Sequence, residues 1–183
     1  MKKIFFMIFL IVFSYFSNSI ADERIKKLNQ LFDDLKTQNY SIAYKVEQEI
    51  WQIWSTHPND ENLTMLLNKG SSLVNESKYN QAIDIFSQAI NLDPLWAEPW
   101  NKRATVLYLS GNFKKSQKDI DKVLELEKRH FGALAGQGLV NIQLKNYNKA
   151  IKSYENAKEI YPTMKSPDMM INQIKGLIKK QSI

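Results

Sequence analysis

The sequence predicts an all-α, right-handed solenoid of helix-turn-helix hairpins closed by a C-terminal capping helix. Three observations carry that expectation. Small residues recur every 34 positions at Ala82, Ser116 and Ala150, each with an aromatic residue three places earlier, at Tyr79, Phe113 and Tyr147. Gly70, Ala104 and Gly138 keep the same interval, as do Phe86, Ile120 and Tyr154, then Ala89, Val123 and Ala157. Each copy reads as two amphipathic segments with a break between them, at Ser77-Lys78, Gly111-Asn112 and Lys145-Asn146. Gly or Asn ends a helix in the left-handed conformation at little steric cost. One such hairpin cannot bury its apolar face alone, so a fixed period of this length means a stacked array with a continuous core.

Taken in order, residues 1–21 are of a different kind from the rest. Lys2 and Lys3 precede an apolar run from Ile4 to Phe13, and a polar stretch ends in Ser19-Ile20-Ala21. A basic start, a short apolar run and small residues at the end are the ingredients of a secretory signal peptide. Even extended to Phe16 the run is 13 residues, short of the roughly 18 needed to span a bilayer as an anchor. Residues 22–62 read as a degenerate hairpin. Ile25, Leu28, Leu31, Phe32 and Leu35 share one helical face, Tyr40 and Ala43 repeat the aromatic and small step, and Val46, Ile50, Trp51 and Trp54 form the stripe of a second helix. That second helix is expected to run nearly a turn longer than its counterparts, because Tyr40 to Pro58 spans 18 residues against 15 from Tyr79 to Pro94. As a terminal copy it would cap the stack. Three copies follow at 63–96, 97–130 and 131–164. Residues 165–183 are the closing helix, starting at Ser166-Pro167-Asp168 and burying Met170, Ile174, Leu177 and Ile178.

The three copies closely resemble the tetratricopeptide family. Copy one carries Gly70, Tyr79, Ala82, Phe86, Ala89 and Pro94 at family positions; copy two carries Trp100, Ala104, Gly111, Phe113 and Ile120; copy three carries Gly138, Tyr147, Ala150, Tyr154, Ala157 and Pro162. Copy two departs with Ser116 in place of alanine and Lys128 in place of proline, so nothing there forbids another half turn of helix. Arg103 stands where the family usually has leucine, and its guanidinium is expected to reach Asp119 or Asp121. The segments around Trp100–Thr105 and Arg129–Leu134 are also similar to short exported tetratricopeptide proteins of alphaproteobacteria.

The resemblance implies a binding function along a concave groove lined by the first helix of each copy. Carried over position by position, it points to Leu67 and Ser71 (with Thr64 and Val74) in copy one. In copy two it points to Glu98, Asn101, Lys102, Thr105 and Tyr108, and in copy three to Leu139 and Ile142, with Ala135 beside them. Some family members clamp a peptide's terminal carboxylate with basic and amide side chains from three copies. Here the matching sites are Leu67, Ser71, Asn101, Lys102, Ala135 and Gly136, and only copy two is equipped for that task. Apolar Leu67, Val74, Leu139 and Ile142 suit a segment with apolar anchors instead.

Composition narrows the alternatives. Removing Lys2 and Lys3 lowers the net charge from +6 to +4. Residues 22–62 hold five basic and eight acidic side chains while residues 131–183 hold eight and three, so the chain is dipolar along its length. The lysines are scattered without interleaved aromatics, which argues against nucleic acid as a partner. No cysteine is present, which removes disulfides and a lipidated cysteine from consideration. His57, with Asp60 and Glu61, and His130 lie in connections between copies and read as solvated loop residues, not a metal site. No nucleophile elbow, zinc helix motif or phosphate-cradling glycine loop occurs, so no catalytic residues, metal or cofactor are expected.

Two functions follow from these readings. The first is a non-enzymatic adaptor or scaffold of the bacterial cell envelope holding a segment of another protein, with membrane contact only through the signal peptide. The second is a glycan or cell-wall-binding module using Trp51, Trp54, Trp96 and Trp100. The export reading predicts a periplasmic or secreted protein whose first residue is Asp22. Terminal sequencing of the protein from cell fractions checks this, and a retained Met1 in the membrane fraction would refute it.

Overall fold

The computed structural model describes residues 22–181, and every regular element among them is a helix. The expected signal segment, residues 1–21, lies outside the described residues. Helix α1 covers residues 22–34 and α2 covers Tyr40–Ser55. Three hairpins follow: α3 Glu61–Asn75 with α4 Tyr79–Leu92, α5 Ala97–Leu109 with α6 Phe113–Leu126, and α7 Phe131–Gln143 with α8 Tyr147–Ile160. Helix α9, Lys165–Gln181, closes the chain. No described helix is long and apolar enough to cross a membrane.

Steric fit between two of the 34-residue columns holds each hairpin together. A Cβ added at Gly70 would collide with the Phe86 ring, and one at Gly138 would stand 2.5 Å from the Tyr154 ring. Where the facing residue is the smaller Ile120, the column tolerates Ala104. Ala82 and Ala150 are fully buried at the second close approach. Ser116 occupies the same place and donates its hydroxyl to the Ala104 carbonyl at 2.7 Å, which satisfies a polar group that would otherwise be costly there.

The turn inside each hairpin has one geometry in all three copies. Ser77, Gly111 and Lys145 adopt φ of 59°, 74° and 60°, the left-handed region. The next residue's N–H closes the helix end: Lys78 donates to Leu73, Asn112 to Leu107 and Asn146 to Asn141, each at 2.8 Å. This six-to-one closure satisfies carbonyls that the helix end leaves bare. Only copy two places glycine at the left-handed position.

The missing proline at Lys128 makes no difference to helix length. Helix α6 has 14 residues, as do α4 and α8. Glu127 ends it by accepting from the Arg129 N–H at 3.0 Å and from the Arg129 guanidinium at 2.9 Å. Asp93 takes the same position after α4 and accepts from Leu95 N–H at 2.8 Å. Arg103 reaches Asp119 as expected, at 2.7 and 2.9 Å, and also donates to Ser87 across the copy boundary at 2.9 Å.

At the ends of the chain the structure differs from the expectation in five respects. Ile25 is exposed, whereas Leu31, Phe32 and Leu35 are buried. Helix α2 has 16 residues, two more than α4, which is about half a turn, because Thr56 already leaves helical geometry. In α9 the helix begins at Lys165, so Ser166 lies inside it, and Ile171 packs where Leu177 was expected, with Leu177 exposed. Most consequentially, α2 does not stack on α3 as a preceding copy. It runs across the connections between copies, from copy three back to copy one. Tyr40 lies 4.2 Å from the Lys165 ammonium; the Tyr161 hydroxyl donates to Glu47 at 3.1 Å; Trp54 stacks on His130; and His57 meets Asp93 at 2.9 Å. The hairpin α1–α2 is therefore a strap along one edge of the solenoid. The same edge also holds Arg129, which donates to Asn29 at 2.8 Å and covers the Phe32 ring at 4.1 Å.

Two measurements test this packing. Leucine at Ala82 or Ala150 overpacks a closed contact and costs about 1–3 kcal/mol, while glycine at Lys145 relieves a left-handed residue and gains up to about 1 kcal/mol. Thermal melts that place all three variants level with the wild type would contradict the assigned register. The second measurement concerns alkali. Burial pushes the Tyr161 phenol up to about 12 from 10, aided by the nearby Glu47 charge. Burial likewise pushes Tyr154 up to about 12. A phenol whose folded pKa is raised favours folding below its unfolded pKa, and that contribution is lost as pH climbs through the interval from 10 to about 12. Denaturation across that interval should show stability falling with pH, and Tyr161→Phe should flatten part of the slope.

Candidate functional site

Helices α3, α5 and α7 line one face of the solenoid because their close packing against α4, α6 and α8 leaves the opposite side of each free. Two adjoining hollows run along this groove. The larger is about 300 Å³ and lies between α3 and α5, with Ser71, Val74 and Asn75 on one side and Asn101, Lys102, Thr105 and Val106 on the other. The smaller is about 60 Å³ and lies between α5 and α7, walled by Tyr108 and Leu139 and bordered by Gly132 and Gly136 of α7. Asn101, Thr105 and Gly132 belong to both, which makes the two hollows one continuous trough.

Of the residues expected to line the groove, Ser71, Lys102, Thr105, Tyr108, Leu139 and Ile142 have accessible surface, and all but Ile142 border a hollow. Ile142 packs instead towards Tyr154 and Ile174 in the last hairpin's core. Leu67 and Glu98 are 1% exposed and cannot touch a partner. Leu67 faces inward with Phe86 and Val106. Asn101 is largely buried and presents only part of its side chain to the trough.

Glu98 belongs to a buried polar cluster beneath the groove. Its carboxylate accepts from Asn101 Nδ2 at 3.2 Å and from His130 Nε2 at 3.1 Å, and lies 3.3 Å from the Lys102 ammonium. His130 is fully buried, contrary to the solvated loop residue expected. Its Nδ1 accepts the Ala133 N–H at 3.1 Å, capping α7, so the ring proton sits on Nε2 and is donated to Glu98. The imidazole lies flat on the Trp54 indole, with centroids 4.0 Å apart. His57 is similarly enclosed, edge-on to Trp96 and bonded to Asp93, while Asp60 caps α3 by accepting from Asn62 and Leu63. His57 and Asp60 are thus taken up by local structure, Glu61 is exposed in the first turn of α3, and no group of metal-ligating residues occurs among the described residues.

One wall of the trough comes from outside the repeats. Trp51 of α2 borders the larger hollow, its ring edge against Gly132, where an added Cβ would stand 2.6 Å away. The Lys102 ammonium lies 5.8 Å from the centre of its ring. The sequence shows Trp51 only as part of an apolar stripe. The signal that could have placed it is the pairing of an unusually large residue with an unneeded glycine at Gly132, which in isolation reads as two unrelated positions.

Comparison with known proteins places this geometry in context. The family profile described as tetratricopeptide repeat matches residues 63–94 and 132–164. The copy between them, with Ser116 and Lys128, falls outside the match although its helices, of 13 and 14 residues, equal those of copy three. A TPR repeat-containing protein of Rhizobium etli is 32% identical over 150 residues, which cover 81% of this chain and 73% of that protein. The Hsp70-Hsp90 organizing protein 1 of Glycine max is 28% identical over 122 residues, and the chain spans 21% of its length. Among solved structures, the first TPR of Spaghetti (RPAP3) bound to the HSP90 peptide SRMEEVD shares the fold with a TM-score of 0.62 at 21% identity, covering 64% of this chain and 93% of that one. By the extent of its match to the Rhizobium etli protein, and by the repeats themselves, the chain belongs to the tetratricopeptide repeat family.

Proposed function

We propose that the chain is a non-enzymatic adaptor of the bacterial cell envelope that holds a segment of another protein along the groove of α3, α5 and α7. The observation that carries this reading is the continuous trough: two hollows on successive first helices, bordered by apolar and hydrogen-bonding side chains. Pockets of this kind are where an extended or helical segment finds anchors. The peptide held by the related Spaghetti domain supports the same mode of use. The envelope setting rests on the basic start and short apolar run of residues 2–13 and on Ser19-Ile20-Ala21.

The glycan-binding alternative loses its main support. Trp54 and Trp96 are buried, the first against His130 and the second donating its indole N–H to the Trp54 carbonyl at 2.8 Å. Trp100 is covered on one face by Arg103, 4.9 Å from its ring centre. A row of free aromatic faces for sugar stacking is not available from these four.

The test is capture from envelope extracts by the purified chain. Tyr108→Ala combined with Leu139→Ser strips two walls of the trough and should weaken capture about tenfold or more, since a few anchors carry most of such binding. Lys118→Glu with Lys152→Glu reverses two exposed charges on the second helices and should leave capture intact. Melting temperatures near that of the wild type confirm that both variants fold. The opposite pattern would move recognition to the convex face and overturn the groove assignment.

A further inference from the structure

We propose that the larger hollow is a composite anchor site, built jointly by the strap and the repeats, for a neutral aromatic side chain carrying a hydrogen-bond donor: a tryptophan or tyrosine of the partner segment. This rests on the groove reading above and gives its ligand a chemical class. Size is the first argument. At about 300 Å³ the hollow suits one bulky side chain, whereas the adjoining space of about 60 Å³ admits no more than a small aliphatic group. The floor is apolar, from Trp51, Val74, Phe86 and Val106.

Hydrogen-bond polarity is the second argument. Ser71 Oγ donates to the Leu67 carbonyl at 2.9 Å, and Thr105 Oγ1 donates to the Asn101 carbonyl at 3.0 Å. Each hydroxyl has a single proton, and both are committed to their own helices. What these two side chains offer the hollow is lone pairs. An indole N–H or a phenol O–H matches these two acceptors and a carboxylate matches neither, while the Asn75 and Asn101 amides beside them offer a donor and an acceptor each.

Charge is the third. Lys102 is the ionised residue in the lining, and it already neutralises the buried Glu98 carboxylate 3.3 Å away. A ligand carboxylate that drew Lys102 outward would leave Glu98 buried and uncompensated, a costly exchange. The same amine that would serve an acidic peptide is therefore already paired with a buried carboxylate.

Chemical-shift titration of the isotopically labelled full chain distinguishes these cases with two probes, N-acetyl-tryptophanamide and the peptide SRMEEVD. The expected result is that N-acetyl-tryptophanamide shifts the Ser71, Thr105 and Gly132 amides and the Trp51 indole N–H. Ser71→Phe, which fills the hollow from α3, should raise its apparent Kd about tenfold with the melting temperature held, as loss of an anchor pocket implies. Trp51→Ala should also raise the Kd from the strap side, with a lower melting temperature because the ring packs on Trp54, His130 and Phe131. The peptide SRMEEVD should leave these signals unmoved. Shifts around Asn101 and Lys102 with SRMEEVD, or none in the hollow with N-acetyl-tryptophanamide, overturn the proposal. If the Tyr108 and Leu139 variant still loses capture in that event, the groove reading stands and only the anchor chemistry falls. If the amide binds as expected while that variant keeps capture, the anchor site holds and the groove reading fails.

Discussion

Everything in this fold depends on how near the two helices of a hairpin can come. The distance is set by a single pairing, a residue with little or no side chain on the first helix facing a large one on the second. Gly70 meets Phe86, Gly138 meets Tyr154, and Ala104 meets the smaller Ile120. Because a core packs at nearly crystalline density, the two columns cannot vary independently. The facing helices then stack copy on copy, and the first helices are left free to line a groove. The groove is a by-product of the packing of its back.

The strap changes the energetics expected of such an array. A solenoid is ordinarily a sum of copies and nearest-neighbour interfaces. Here α2 touches the connections of all three copies, and a single cluster joins Phe32, Val46 and Trp54 to Phe131 and Tyr161. Opening one copy alone therefore disturbs contacts belonging to the others. Edge contacts of this kind also fix the relative tilt of the copies, so the trough is held in one shape before any partner arrives. Preorganisation of that sort spares a binding site the entropy of ordering itself.

Much of this was legible from residue spacing. The three hairpins and their breaks lie where the 34-residue columns put them, because each column is a steric requirement on one contact. Arg103 was placed correctly since a guanidinium near the core needs a carboxylate within reach. The groove was legible only in part. Position alone places Glu98, Leu67 and Asn101 in it, but helical position fixes direction, not depth, and burial of the first two follows from what packs over them. The strap was the least visible feature. Its apolar stripe and its aromatic and small step are those of a terminal copy, and local pattern says that a face is buried without saying against what. Burial of His130 is hidden from the sequence for the same reason: the loop that carries it is covered by Trp54 from 76 positions earlier.

The strap also sets an order of events. Its partners are far away along the chain, as with Glu47 and Tyr161, separated by 114 residues. During synthesis α1 and α2 emerge first, yet the surface that receives them is complete only when α8 has appeared. Until α7 has appeared, Phe32, Trp51 and Trp54 lack the Arg129, His130 and Phe131 side chains that pack on them. Contacts between distant segments slow folding, and apolar surface left open meanwhile invites association. For a chain that has to stay unfolded until it has crossed a membrane, late closure of its first segment is an advantage; for one made and kept in a single compartment, it is a point at which a chaperone would be needed.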